Sequence, residues 1–433
     1  MARIARRRVL TLSASGGLAA ILASGRGPAL AQDKTVHWLR WADFVPASDV
    51  LLKGPITEEC KKATGITLRL ETVNANDLQS RITSGIQSGT GADVIMAFGN
   101  WPQLYAESLA DAGDVAEEIA AAQGGYYDVS RLVATVRNKW IGVPWTTGGG
   151  LIAYRKSWLE EVGYKSFPDT WETFRDAGRK LKAKGRPIGQ TAGHTFGDAP
   201  GWWYPFLWSF GGKEVDADGK TVLNSKETVE SIKLAVALWK ETMDEGGLAW
   251  DDTNNNRAFL SQTISATNNG ASIYIEAKKK PKTYLTEKGT PMFEDIRHAP
   301  IPKGAAGQFN LPGVFTDMIM GYSKNQPAAK EFLRWVHSKP VYDQWFTSQQ
   351  GYTSGATKDW AKHAVWDVDP VLKPFKDLPA FGRLAGYAGP PDRRSAEVIS
   401  KYIIVDMYAK AIQGMPAEEA AKWAHGECAK VYV

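Results

Sequence analysis

Residues 142–174 read Gly-Val-Pro-Trp-Thr-Thr-Gly-Gly-Gly-Leu-Ile-Ala-Tyr-Arg-Lys-Ser-Trp-Leu-Glu-Glu-Val-Gly-Tyr-Lys-Ser-Phe-Pro-Asp-Thr-Trp-Glu-Thr-Phe. A corner of glycine, proline and aromatic residues leads into a short apolar strand over residues 151–154. A small amphipathic unit around Trp158 follows. Asp169, with Glu172 three residues on, then has the arrangement of an N-cap and capping box for a helix over 169–184. Three successive glycines between two ordered segments suit both movement and close backbone approach.

Upstream of this corner the chain alternates strand and helix. Residues 35–41, 66–73 and 93–98 read as strands, the last as a near-continuous apolar run of the kind found in sheets covered on both faces. Residues 50–64, ended by Gly65, and 77–87, with Leu78, Ile82 and Ile86 on one face, read as helices between them. This is a doubly wound α/β unit, whose ligands sit beyond the carboxyl ends of the strands. Three strand ends therefore mark a site: Trp41-Ala-Asp43, Asn74-Ala-Asn76 and Gly99-Asn100-Trp101. Downstream, residues 224–245, 327–338 and 397–413 read as helices and 296–302 as a short strand. Asp216 to Lys220 reads as a β-turn, not a calcium loop.

The chain has 433 residues, enough for two or three domains, with the hydrophobic and charged fractions (43% and 23%) of a globular protein. The formal charge of +5 comes from the first 31 residues. They carry Arg3, Arg6, Arg7, Arg8 and Arg26 and no acid, and without them 47 basic residues face 47 acidic ones. No global charge remains to favour nucleic acid or anionic lipid. Arg6-Arg7-Arg8, a weakly apolar run and Ala29-Leu-Ala31 read as an export signal cleaved near Ala31, with the paired arginines favouring the twin-arginine route over the general one. No later run approaches about 18 apolar residues, so no membrane span is expected. Cys60 and Cys428 read as two buried free thiols, with pairing in an oxidising compartment as the alternative. The scattered histidines make no zinc spacing, and no metal or cofactor is expected.

Catalytic motifs of known spacing are missing: no nucleophile elbow, no zinc-protease helix, no phosphate loop. Adjacent acids such as Glu58-Glu59, Glu160-Glu161 and Asp251-Asp252 read as solvated faces. Aromatic residues stand out instead. The chain has 17 Trp, densest at Trp202-Trp203-Tyr204-Pro205-Phe206. Indole faces cover the C–H patch of a sugar while amides and carboxylates bind its hydroxyls. Trp239, Trp335 and Trp345, at helical spacing, read as core. Trp41, Trp101 and Trp145, at strand ends, read as cleft residues. Of the adjacent Trp202 and Trp203, one is expected in the cleft and the other behind it.

Six blocks in order resemble the family 1 extracellular solute-binding proteins of bacteria, over nearly the whole mature chain. They are the opening stretch, residues 89–114, Trp208-Ser-Phe-Gly-Gly-Lys213, residues 259–274, Ala299-Pro-Ile-Pro-Lys-Gly304 and residues 328–351. The resemblance implies an α/β, two-lobed periplasmic binding protein fold of type II, with three interlobe crossovers near 145–150, 297–300 and 362–366. One lobe would hold residues 32–145 and 300–362, the other 146–299 and 363–433. It also implies a monomer in the periplasm that captures a sugar or polyol by hinge closure and docks on the permease subunits of an ABC importer. Carried over position by position and joined to the strand-end residues, the candidate ligand contacts are Trp41, Asp43, Asn74, Asn100, Trp101, Trp145, Gly148, Trp202, Trp203, Tyr204, Asn269, Gly270, Phe315 and Arg394. Asn100 and Gly148 stand where maltodextrin-binding relatives carry acids, so a long maltodextrin is not the expected ligand. Two other readings compete. Arg383, Arg393 and Arg394 motivate an anionic solute such as a glycerol phosphate ester. A secreted carbohydrate-active enzyme would need two carboxylates facing one cleft, about 5–10 Å apart.

Overall fold

The computed structural model describes residues 34–390 and 392–433. The export signal expected over residues 1–31 lies outside them. Strands β1 (Thr35–Trp41), β2 (Thr67–Val73) and β3 (Val94–Phe98) come first, followed by a small ribbon of β4 (Thr135–Val136) and β5 (Lys139–Trp140). Next are β6 (Val143–Gly148), β7 (Leu151–Arg155), β8 (Ala266–Asn269), β9 (Ile296–Ala299), β10 (Gly313–Ile319) and β11 (Ser354–Gly355). The larger sheet has the order β11-β6-β10-β3-β1-β2, and a separate sheet has the order β8-β7-β9. β1 runs parallel to β2 and β3, whereas β10 is antiparallel to β3 and β6. The end of β3 and the start of β10 therefore meet, with Phe98 opposite Phe315, and Gly148 ends β6 opposite Gly313. Aromatic and glycine residues are gathered at one rim of the larger sheet by this register alone.

The two sheets are joined directly by the glycine corner, since β6 ends at Gly148 and β7 begins at Leu151. None of Gly148, Gly149 and Gly150 adopts a positive φ. What requires glycine is close approach. A Cβ would lie 3.3 Å from Phe315 at Gly148, 3.0 Å from Leu378 at Gly149 and 2.6 Å from the Asn268 amide at Gly150. The chain returns to the larger sheet between β9 and β10, through residues 300–312.

The larger sheet's core is built on indoles. Trp38 meets Trp145 and Phe332 edge-on, and Trp145 packs against Trp345 at 4.7 Å. The Arg40 guanidinium is fully buried over the rings of Trp38, Trp145 and Trp345, the cation–π arrangement that offsets part of the cost of burying its charge. Trp38 Nε1 donates to Asp317 Oδ1 at 2.8 Å. Burial pushes the Asp317 carboxyl up to about 7, against the pull of that bond and of Arg40. A second core forms around Trp171, Trp202, Trp203, Phe206 and Tyr408. Cys60 and Cys428 are free thiols, one buried in each core.

Several sequence expectations shift by local physics. The helix after the glycine corner begins at Trp171, and its N-cap is Thr170, not Asp169. Thr170 and Thr173 exchange side-chain and backbone hydrogen bonds reciprocally, while Asp169 pairs with Lys303 at 2.8 Å. The first helix starts at Pro46 instead of residue 50, because proline is preorganised for a first helical turn. It passes Pro55 through a π-helical turn over Leu52–Ile56 and ends at left-handed Gly65. The helix expected over 397–413 is two helices, Arg393–Ser400 and Ile403–Ile412. Between them Tyr402 takes a φ of +56° and stacks on His194 at 4.4 Å. A tertiary contact thus overrides the helical period.

Candidate functional site

Two adjoining cavities of about 40 and 80 Å³ lie between the rim of the larger sheet and the smaller sheet with its helices. The larger sheet contributes Trp41 from the end of β1, Phe98 from the end of β3, Gly148 from β6, and Gly313 and Phe315 from β10. The facing wall comes from Phe196 to Gly201, Asp252, and Asn268 with Gly270. Tyr352 closes one side, and Asn100 and Trp101 line the smaller cavity with Tyr402.

The apolar surface is an aromatic cluster. Trp41 stacks on Phe315 at 5.1 Å and 17°, and Phe44 stands edge-on to Trp41 at 5.0 Å. Phe196 crosses from the opposite wall, 5.0 Å from Phe98 and 5.9 Å from Trp41. Two hydrogen bonds also cross: Gln79 Nε2 to Ser400 Oγ at 3.2 Å and Asn100 Nδ2 to Ser395 Oγ at 3.5 Å. The walls are therefore in contact across the cleft.

The polar surface is acidic. Asp198 is the first residue of the helix Asp198–Phe210, and Asp252 caps that helix from outside. Asp252 Oδ1 accepts the Asp198 N–H at 2.8 Å and Oδ2 the Gly197 N–H at 3.2 Å. A carboxylate here also meets the positive end of the helix dipole. Asp198 Oδ2 accepts from Asn255 Nδ2 at 2.5 Å. Burial drives the Asp198 carboxyl well above its usual range, and the neighbouring Asp252 charge adds to the rise. Burial also raises Asp252, opposed by its backbone and Thr195 hydrogen bonds. Among the described residues, no Lys, Arg or His lines either cavity.

The expected contacts separate into two groups. Trp41, Asn100, Trp101, Gly148, Gly270 and Phe315 line the cavities. Trp202, Trp203 and Tyr204 do not. Each is buried to within 1% in the second core, so the expectation that one indole faces the cleft is corrected. Their helix is wrapped on all sides by apolar elements, and its first turn, not its aromatic middle, reaches the cavity. Trp145 is likewise core, because β6 turns it toward Tyr342 and Trp345. The Asp43 carboxylate is taken up by Val45 N–H, Ser48 Oγ and Gln349 Nε2. Asn74 is the exposed N-cap of the helix Ala75–Ser88. Asn269 is tied to Asn256 and Ser272, and it is Asn268, on the opposite face of β8, that lines the cavity with Gly270. Arg394 pairs with Asp392 at 2.8 Å on a separate open basin. Arg383 lies over the Phe309 and Tyr387 rings. Asp252 is only 7% exposed, so the reading of Asp251-Asp252 as a solvated face fails for its second member.

The residues that sequence reasoning missed are Phe196, Asp198, Asp252, Asn268 and Tyr352. The segment Gly197-Asp-Ala-Pro-Gly201 does carry a signal, an acid and a proline at a helix start just before an aromatic run. Gly201 offers a direct test of the cavity's use. Its Cβ would meet only the Asn268 amide, at 3.6 Å, so Gly201→Leu fits the backbone and fills the space. The variant is expected to gain about 0.5–1 kcal/mol of helix stability while solute affinity falls at least about tenfold. Thermal melting and titration calorimetry read the two effects separately.

The family model of the bacterial extracellular solute-binding proteins matches residues 46–342. A protein of Brucella abortus (strain 2308), described as a binding protein, is 26% identical over 383 residues, covering 84% of this chain and 85% of the relative. A protein of Deinococcus radiodurans, described as a probable ABC transporter-binding protein, is 25% identical over 302 residues, 64% of this chain and 68% of the relative. Among solved structures, maltose-bound T. maritima MalE3 superposes with a TM-score of 0.76 at 20% identity, covering 92% of this chain and 99% of that one. A solute-binding protein of Agrobacterium radiobacter K84 in complex with ribitol gives 0.72 at 20%, covering 92% and 98%. At these identities the likeness is one of fold: two α/β lobes with a cleft between them.

Proposed function

Because the chain belongs to the bacterial extracellular solute-binding protein family, we propose that it captures a small hydroxylated solute, a sugar or polyol, between its two lobes for an ABC importer. The observation that carries this reading is the two-sided lining of the cavity. Aromatic faces at Trp41 and Phe315 come from the larger sheet, and hydrogen-bonding groups at Asp198 and Asn268 come from the opposite wall. Such a site is complete only when the walls meet, so a solute bound there shifts the open–closed equilibrium toward the closed form. In this proposal the moving bodies are the larger sheet with its helices and the smaller sheet with its helices, and the expected boundary at 145–146 moves to the glycine corner Gly148 to Gly150, because β6 runs to Gly148 within the larger sheet. The closed form then docks as a monomer on the permease subunits in the periplasm.

The lining does not favour the anionic alternative, since among the described residues no Lys or Arg lines either cavity and Arg394 is paired with Asp392. The enzyme reading is not favoured by the Asp198–Asp252 pair. The two lie on one wall, and both Asp252 oxygens are engaged by backbone N–H groups. A glycosidase places its carboxylates across the scissile bond.

Calorimetric titration with a panel of mono- and disaccharides and polyols tests the proposal. Micromolar or tighter binding to at least one member is expected, with a change in Trp fluorescence as the walls close. Trp41→Ala is expected to cost about 1–3 kcal/mol of that affinity through lost aromatic burial. Binding confined to phosphorylated solutes, and lost at high salt, would replace the proposal by the anionic one.

A further inference from the structure

We propose that the larger cavity receives an ammonium group, so that the solute is a small amino sugar or amino polyol and not its neutral hydroxyl counterpart. The inference rests on the small-solute reading above and narrows its substrate class.

Three properties of the cavity point the same way. The first is charge. Asp198 and Asp252 lie side by side on its wall, and no basic side chain lines it. A neutral solute leaves the buried Asp252 carboxyl and the half-buried Asp198 carboxyl beside it without a basic partner, an arrangement that proteins avoid unless a cation or a proton is supplied. The second is an imbalance of hydrogen-bonding groups. Asn268 is 3% exposed, and its buried Oδ1 receives no donor among the described residues. Asp198 engages Asn255 through Oδ2, and no hydrogen bond to its Oδ1 forms among the described residues. Both oxygens are acceptors left for a solute, and a primary ammonium offers three donors. The third is the apolar wall. Trp41 and Phe315 stack on one another, and Phe196 stands against Trp41 from the other side. Aromatic faces attract cations, tryptophan most strongly. A neutral hydroxyl can meet the second property, and the C–H face of its sugar can cover the aromatic wall, but it supplies no charge for the first.

Glycine placement keeps this region open. A Cβ at Gly150 would come within 2.6 Å of the Asn268 amide, and one at Gly270 within 2.8 Å of the Tyr352 ring. The backbone here leaves room for the polar groups to meet a solute rather than one another.

Matched pairs decide the matter. The full chain is titrated with D-glucose and D-glucosamine, with D-glucitol and glucamine, and with a wider panel of neutral sugars and polyols. The amine of at least one pair is expected to bind about tenfold or more tightly than its neutral twin. Asp198→Asn, checked for folding by thermal melting, is expected to bring that pair to within about threefold by removing the charge while keeping the shape. If neutral solutes bind and each amine binds no more tightly than its twin, the inference is overturned and the sugar or polyol reading stands. If the amine preference persists unchanged in Asp198→Asn, the assignment of the ammonium to this cavity is overturned. If no member of either set binds, the small-solute reading falls, and this inference falls with it.

Discussion

Trp203→Ala is expected to destabilise the second core by about 3–5 kcal/mol, the range for truncating a fully buried large aromatic. Trp203 has no exposed surface. Its ring stacks on Tyr408 at 4.6 Å and 22°, stands edge-on to Phe206 at 5.8 Å, and its Nε1 donates to Thr191 O at 3.1 Å. The truncation therefore leaves a cavity and an unpaired buried carbonyl together. Because Trp203 does not line the cleft, solute affinity measured well below the melting temperature should stay within about threefold of the parent. Trp41→Ala should behave the opposite way, losing affinity through the solute contact. Thermal melting and calorimetry on the two variants separate packing from recognition. Lost affinity without lost stability in Trp203→Ala would show that the indole belongs to the site after all.

That contrast also marks where the sequence could be read and where it could not. The strands at 35–41, 66–73 and 93–98 were legible because alternation and apolar runs are local consequences of covering a sheet. Trp41, Asn100 and Trp101 followed from the rule that doubly wound sheets bind at strand ends. What failed was direction. Trp145 reads as the same kind of sequence position as Trp41 and Trp101, but whether an indole turns inward depends on elements about 200 residues away, such as Tyr342 and Trp345 against Trp145. The choice between Asn268 and Asn269 is a matter of which strand face looks at the cleft, and a one-residue shift reverses it. Asp252 was illegible for a different reason. Its burial is created by the first turn of the helix Asp198–Phe210, 54 residues earlier in the chain, and nothing in the dipeptide Asp251-Asp252 announces it. Asn100 and Gly148 bring no charge to the cavities, and the acids that line them, Asp198 and Asp252, come from the opposite wall.

The second large effect is on the dependence of stability on pH, and it resides in His337. The ring is 2% exposed, stacked on Tyr342 and edge-on to Trp145 at 4.9 Å, and its Nε2 has no hydrogen-bond partner among the described residues. Burial alone drives its pKa down to about 3. The unfolded chain therefore binds this proton below about pH 6.5 while the folded chain refuses it until about pH 3. Stability from this group is complete above the unfolded pKa and is lost as pH falls from there toward 3. Between pH 7 and 4 the loss amounts to roughly 3 kcal/mol at about 1.4 kcal/mol per unit. His298, lowered by burial to about 4, acts in the same direction. Asp317 acts against both. Its carboxyl, raised to about 7, binds a proton in the folded state before the unfolded one does, so acidification over the same window stabilises the fold. The overall profile of the parent protein is thus a sum of opposed slopes and identifies none of them. The difference between parent and His337→Phe isolates one. Phenylalanine keeps an aromatic ring among Trp145 and Tyr342 and removes the titration. The variant should match the parent to within about 1 kcal/mol at pH 8 and gain on it progressively below pH 6.5, by roughly 3 kcal/mol at pH 4. Denaturant unfolding of both proteins at pH 8, 6 and 4 measures this. A stability difference that does not change with pH would mean that water or a nearby acid meets His337 in solution, and that the ring is not held neutral by burial.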